Sequence, residues 1–305
     1  MVDVHMHLYE TKSEGNWWKS QYEIWEYGTK PDVRFGRYAG DLEDAVDALS
    51  EAGFTHGIAA NLFSVDLFRE QAISTLPGDL DPGERTKTIA EIESTMAERL
   101  RSFNRWLVDA VASTPQITPF VAVDPWALEP HENVTHLEEM ADRGARGIKI
   151  HPVVQRFAPD DVRMLPIYRA CEVMGLAVLS HTGSAKGGER FAEPAAFADV
   201  LRDFPRLNVV LAHLGGGSWK QTADLARAFP RVAFDLCEIV EWSGAKNAPS
   251  REQLAHLIAD VGPERVMLGT DFPWYDLDRT VQQVTGLPVL STAQIEGILG
   301  ANAVR

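Results

Sequence analysis

The chain has 305 residues, 45% of them hydrophobic and 24% charged, with a formal net charge of -15. No apolar stretch approaches the roughly 20 residues of a membrane span, and two cysteines, Cys171 and Cys237, provide neither a disulfide framework nor a thiolate zinc cluster. The acidic balance, with no lysine or arginine run, excludes a basic face for nucleic acid.

The first apolar run, 2–7, reads Val-Asp-Val-His-Met-His and predicts a strand. No signal-peptide pattern precedes it, so a reducing cytoplasm is the expected compartment. His5 and His7 lie two apart, so both face the same side of that strand. A long connection, 9–40, follows and carries Trp17, Trp18, Tyr22, Trp25 and Tyr27. Asp41 caps a helical pattern over 41–53 that Gly53 stops. A second strand over 56–62 leads into another long connection, 63–85, and then a helix over 86–113. Strands over 118–123, 146–151, 176–181, 207–213, 231–236 and 265–270 alternate with helices over 130–143, 163–175, 192–203, 218–229, 250–261 and 277–286. Gly144, Gly175 and Gly262 mark helix ends, Ser250 marks a start, and a last helix over 291–300 opens with Ser291 and Gln294 spaced as a capping box.

Runs such as Ala-Val-Leu-Ser and Val-Val-Leu-Ala are continuously apolar, as in parallel strands covered by helices. Eight strand–helix units predict a single-domain α/β (β/α)8 TIM barrel over 1–305, with long loops after strands 1 and 2. Its active site belongs at the C-terminal strand ends. Both long loops emerge there, so their aromatics either wall a substrate pocket or pack the loop onto the barrel or a partner.

His5, His7, His181, His213 and Asp271 all end apolar runs and therefore converge on one point. Imidazoles and a carboxylate gathered there suit a divalent transition metal. Left unpaired in a core, such groups would be costly. Asn61, Asp124 and Asp235 end other strands. Arg156, Lys186 and Arg190 lie in loops where they could meet a carboxylate. Gly215, Gly216 and Gly217 form a turn that either cradles an anion with backbone N–H groups or only lets the chain turn.

Asp3-Val-His5-Met-His7, Gly147-Ile-Lys149-Ile-His151-Pro152, His181-Thr-Gly183, His213-Leu-Gly-Gly-Gly217, Gly269-Thr-Asp271-Phe-Pro273 and Ile298-Leu-Gly-Ala-Asn302-Ala occur in barrel order over the whole chain. In these motifs the chain resembles the amidohydrolase superfamily, within it the group that includes aminocarboxymuconate-semialdehyde decarboxylase. The resemblance implies one catalytic metal, zinc by preference, held by His5, His7, His181 and Asp271. It gives Asp271 and His213 the catalytic roles: His213 orients the attacking water or stabilises the oxyanion, and Asp271 carries the proton. Lys149, His151, Trp25 and Arg156 are the candidates for touching substrate. In binuclear relatives a carboxylated lysine at strand four bridges two metals, so a second ion at Lys149 is the alternative.

The expected activity is metal-dependent hydrolysis of an amide, lactone or ester-like bond of a small, anionic organic acid. The alternative is a metal-dependent non-oxidative decarboxylase of an aromatic or unsaturated carboxylic acid, which shares every ligand. A metal-free lactonase and an idle scaffold are weaker readings, because no expected ligand is missing. A homodimer is also expected, with no nucleic-acid or membrane partner.

Overall fold

The computed structural model describes residues 1–21 and 26–304. Eight parallel strands form one sheet in which spatial order follows sequence order: β1 Val2–Met6, β2 His56–Ala60, β3 Ile117–Ala122, β4 Gly147–Ile150, β5 Ala177–Ser180, β6 Asn208–Leu211, β7 Ala233–Asp235 and β8 Val266–Met267. That order is what successive strand–helix–strand crossovers of one hand produce. The sheet closes where β8 returns to β1. Val4 N–H donates to Leu268 O at 2.9 Å, Asp271 N–H to His5 O at 2.9 Å and His7 N–H to Phe272 O at 2.7 Å. No helix among the described residues is long and apolar enough to cross a membrane.

Most helix boundaries follow the local chemistry read from the sequence. The Asp41 carboxylate accepts the Asp44 N–H, and Ser250 and Ser291 each form a capping box with the glutamine three residues on. Gly175 ends its helix in the left-handed region, at φ 70°.

Three elements depart from the expectation. Strand β8 is two residues long, and beyond it a side chain interrupts the backbone bonds to β1: Asp3 accepts the Thr270 N–H at 3.0 Å and the Thr270 hydroxyl at 2.5 Å. The helix expected over 86–113 is broken at Thr95 into Pro82–Ser94 and Met96–Val111. Only the second half carries buried residues, Leu100, Leu107 and Val108 among them, so only it packs on the barrel. The two long connections are not bare loops, since they contain the helices Lys12–Ser20 and Val65–Ser74, capped by Thr11 and Ser64.

Candidate active site

A cavity of about 470 Å³ opens at the C-terminal strand ends. His5, His7, Lys149, His151, His181, His213 and Asp271 reach it from five strand ends, whereas Asn61, Asp124 and Asp235 do not line it. The rest of the lining is aromatic and aliphatic, Tyr9, Trp18, Trp274, Leu62, Leu67 and Val153 among them, with Gln21, Glu26, Glu70 and Glu238 as polar members.

His5 is held from behind. Asp235 Oδ2 lies 3.0 Å from Nδ1, which assigns the proton to that nitrogen and leaves the Nε2 lone pair facing the cavity. There Nε2 meets Lys149 Nζ at 2.7 Å and Asp271 Oδ1 at 3.7 Å. Asp235 also accepts the backbone N–H groups of His213 at 2.8 Å and Cys237 at 3.2 Å, tying β6 and β7 to β1. Burial acts to raise its pKa, but neighbouring His5 and these donors outweigh it and bring it down to about 2. Asp235 therefore acts behind the histidine and does not line the cavity.

His7 Nε2 lies 3.1 Å from Asp271 Oδ1. Burial alone would raise Asp271, yet the contact with His7 and the surrounding imidazoles keep it below the ordinary carboxylate range. Burial holds the imidazoles in their neutral, metal-binding form, His5 down to about 4 and His181 well below its usual value. Among the described residues, His5, His7 and Asp271 offer ligand atoms within 4.8 Å of one another. Two ligands about 2.1 Å from one tetrahedral ion stand about 3.4 Å apart, and the 3.1 and 3.7 Å separations bracket that spacing. The donor set thus fits a divalent metal. His181 stands beside this trio, not inside it. Its ring stacks on His151 at 3.7 Å between centroids and meets His213 edge-on at 4.7 Å.

Lys149 is buried on β4, and burial, against the pull of nearby anions, lowers its pKa. His213 sits just past β6 with a left-handed backbone, φ 61°. Its Nδ1 faces Cys237 O at 3.2 Å, Cys237 Sγ at 3.0 Å and Glu238 Oε2 at 3.4 Å, which leaves Nε2 for the cavity.

Arg156 does not reach the cavity. The short helix Pro152–Gln155 ends in a left-handed turn at Arg156 itself, which turns the side chain outward to pair with Asp66 at 3.5 Å and Glu70 at 3.3 Å. Trp25 and Tyr22 lie outside the described residues. The other loop aromatics divide. Trp18 walls the cavity and stacks on Tyr9, whereas Tyr27 is buried against Trp242. Asn61 and Asp124 are structural: Asn61 pairs with both backbone groups of Leu8, and Asp124 accepts the N–H groups of Val65 and Trp126. Arg190 is taken by Glu193, and Lys186 is exposed.

The glycine turn does cradle an anion, but one from the chain itself. Glu26 Oε1 accepts the N–H groups of Gly217 and of Ser184, and a Cβ added at Gly183, Gly216 or Gly217 would run into the Glu26 side chain. Glu26, Cys237, Glu238 and Trp274 are among the site residues that sequence reasoning missed. None sits at the end of an apolar run, so strand-end counting has no signal for them.

Residues 2–305 match a family model described as Amidohydrolase. The chain is 30% identical over 191 residues to the 2-amino-3-carboxymuconate-6-semialdehyde decarboxylase of Dictyostelium discoideum. That match covers 53% of each chain, so it spans about half the length of the relative. In fold it is similar to an uncharacterized TIM-barrel protein of Bordetella bronchiseptica, at TM-score 0.67 and 20% identity, covering 100% of this chain and 98% of that one. It is also similar to a dihydroxybenzoic acid decarboxylase of Polaromonas sp. JS666 solved with manganese and the inhibitor 2-nitroresorcinol, at TM-score 0.65 and 15% identity, covering 99% and 95%.

Proposed function

Because the chain belongs to the amidohydrolase family, we propose that this enzyme is a metal-dependent, non-oxidative decarboxylase of an aromatic or unsaturated carboxylic acid. The observation that carries the reading is the 30% identity to a decarboxylase of an unsaturated amino-carboxylic acid. The cavity supports it. Tyr9, Trp18 and Trp274 offer flat apolar faces for a conjugated substrate, beside the aliphatic Leu62, Leu67 and Val153.

His5, His7, His181 and Asp271 would hold one divalent ion. When bound, such an ion draws electron density from the substrate oxygens beside the breaking bond. Lys149, 2.7 Å from His5, lines the cavity where it would donate to the substrate carboxylate. The bond between the carboxyl group and its neighbouring carbon breaks, carbon dioxide leaves, and the electron pair stays on that carbon. A proton must then arrive there, and His213, whose Nε2 faces the cavity, is the group assigned to deliver it. The Trp18 ring lies on the wall, and its indole N–H is buried without an acceptor among the described residues.

Hydrolysis, the activity expected from the sequence, is the weaker reading, since the same ligands serve both reactions and the curated relative is a decarboxylase. The test is a panel of aromatic and unsaturated acids assayed for carbon dioxide release by protein loaded with zinc or manganese, beside lactones and amides assayed for hydrolysis. Carbon dioxide release is expected. Turnover of lactones or amides with no acid decarboxylated overturns the proposal.

A further inference from the structure

A second carboxylate on a substrate needs a receptor of its own, either a cation or a set of converging N–H groups. Of the lysines and arginines among the described residues, Lys149 alone lines the cavity. Residues 22–25, outside the described ones, contain neither type. The wall does hold a converging N–H pair, drawn from the loops that follow His181 and His213: Ser184 lies three residues after the first, Gly217 four after the second. Glu26 lines the cavity at that place, and its Oε1 accepts both N–H groups, that of Ser184 at 3.1 Å. Gly183, Gly216 and Gly217 leave clear the volume that the Glu26 carboxyl fills. The backbone that carries Glu26 is moored elsewhere. Asn247 Nδ2 donates to Glu26 O at 3.0 Å, the Asn247 N–H donates to Tyr27 O at 3.1 Å, and Tyr27 stacks on Trp242.

We infer that Glu26 is a specificity-determining residue: it fills the anion nest of this wall with the chain's own carboxyl, so the enzyme takes acids with one carboxylate and rejects those with a second. The inference names the substrate class of the proposed decarboxylation and rests on that reading. Charged or neutral, Oε1 occupies the two donors, so the exclusion does not depend on how Glu26 titrates. One substrate carboxylate is provided for, beside Lys149 and the candidate ligands. A second would enter the cavity and find the N–H pair already taken. Arg156 cannot meet it, being turned outward to Asp66 and Glu70. A carboxylate left in a cavity without partners is costly, and that cost is the selectivity.

The test is calorimetric binding of benzoate, isophthalate and terephthalate to zinc-loaded protein, which needs no turnover. In the parent, both dicarboxylates should bind about tenfold or more weakly than benzoate. Glu26→Ala empties the nest and should raise the affinity for at least one dicarboxylate about tenfold relative to benzoate. Glu26→Gln keeps an oxygen for the two N–H groups and should retain the parent's preference. A parent that binds either dicarboxylate within about twofold of benzoate, or that binds none of the three, overturns the role whether or not the variants fold. So does a folded Glu26→Ala that keeps the parent's ratio. If the ratios hold and no acid releases carbon dioxide, the proposed reaction fails and the assignment of Glu26 stands. If acids are decarboxylated without the preference, the reverse is true.

Discussion

His213 and His181 are both imidazoles at strand ends outside the trio of His5, His7 and Asp271, and they differ in what holds them. The Nδ1 of His213 is committed to Cys237 and Glu238, away from the trio of His5, His7 and Asp271. His213→Asn should keep the metal and lose about 100-fold or more in turnover, whereas His181→Ala should lose both. Elemental analysis beside the activity assay checks this, and metal loss in His213→Asn would make that residue a ligand. A subtler change is Trp18→Phe, which keeps the aromatic wall and removes one buried N–H. Because that N–H has no acceptor among the described residues, its removal should raise Tm while KM and kcat stay nearly unchanged. A KM raised about tenfold would show instead that the N–H meets the substrate.

At the scale of the element, the long connection after β1 and the turn after β6 are built for one another. Gly216 has φ 53°, and a Cβ there would stand 2.2 Å from Glu26 Oε1 and 2.7 Å from the Thr182 carbonyl. Burial pushes Glu26 up to about 7 against the two N–H groups that stabilise its charge. Gly216→Ala should therefore detach Glu26 and destabilise the protein by about 1–3 kcal/mol, read as a fall in Tm. An unchanged Tm would mean that the turn can yield. Asp124 gives a second test, at the turn after β3. Burial raises it to about 6 from 3.8 despite the Val65 and Trp126 N–H groups. Between these values the folded chain holds a proton that the unfolded chain has released. Stability contributed at Asp124 is thus full below pH about 4 and is lost as pH rises to about 6, by roughly 1–3 kcal/mol. Asp124→Asn should flatten that part of the pH–stability curve in chemical denaturation, and an unaltered slope would refute the assignment.

For the whole molecule, metal and barrel should stabilise each other. β1 and the segment after β8 close the barrel through His7, Asp271 and their neighbours, and those same residues present ligand atoms. A divalent ion binding there joins the two ends of the chain and binds the folded state alone. Removing it with a chelator should lower Tm by several degrees, and adding zinc or manganese back should restore it in a concentration-dependent way. A Tm indifferent to both treatments would argue against a metal in this site.

The barrel was legible in the sequence because its signals are local. Continuous apolar runs mark strands buried on both faces, and Asp41, Ser250, Ser291 and Gly175 mark helix ends within a few residues of themselves. Most of the site was legible for the same reason: a barrel delivers every strand end to one place, so His5, His7, His181, His213 and Asp271 could be gathered without coordinates. The tertiary structure alone decided what lies between strand ends. Glu238 and Cys237 leave β7 by a left-handed turn, Glu26 arrives from a distant loop into the Gly217 and Ser184 N–H groups, and Arg156 is turned away by its own backbone. These placements depend on contacts between residues up to 191 positions apart, and no local pattern encodes which side chain a loop will meet once the barrel has closed.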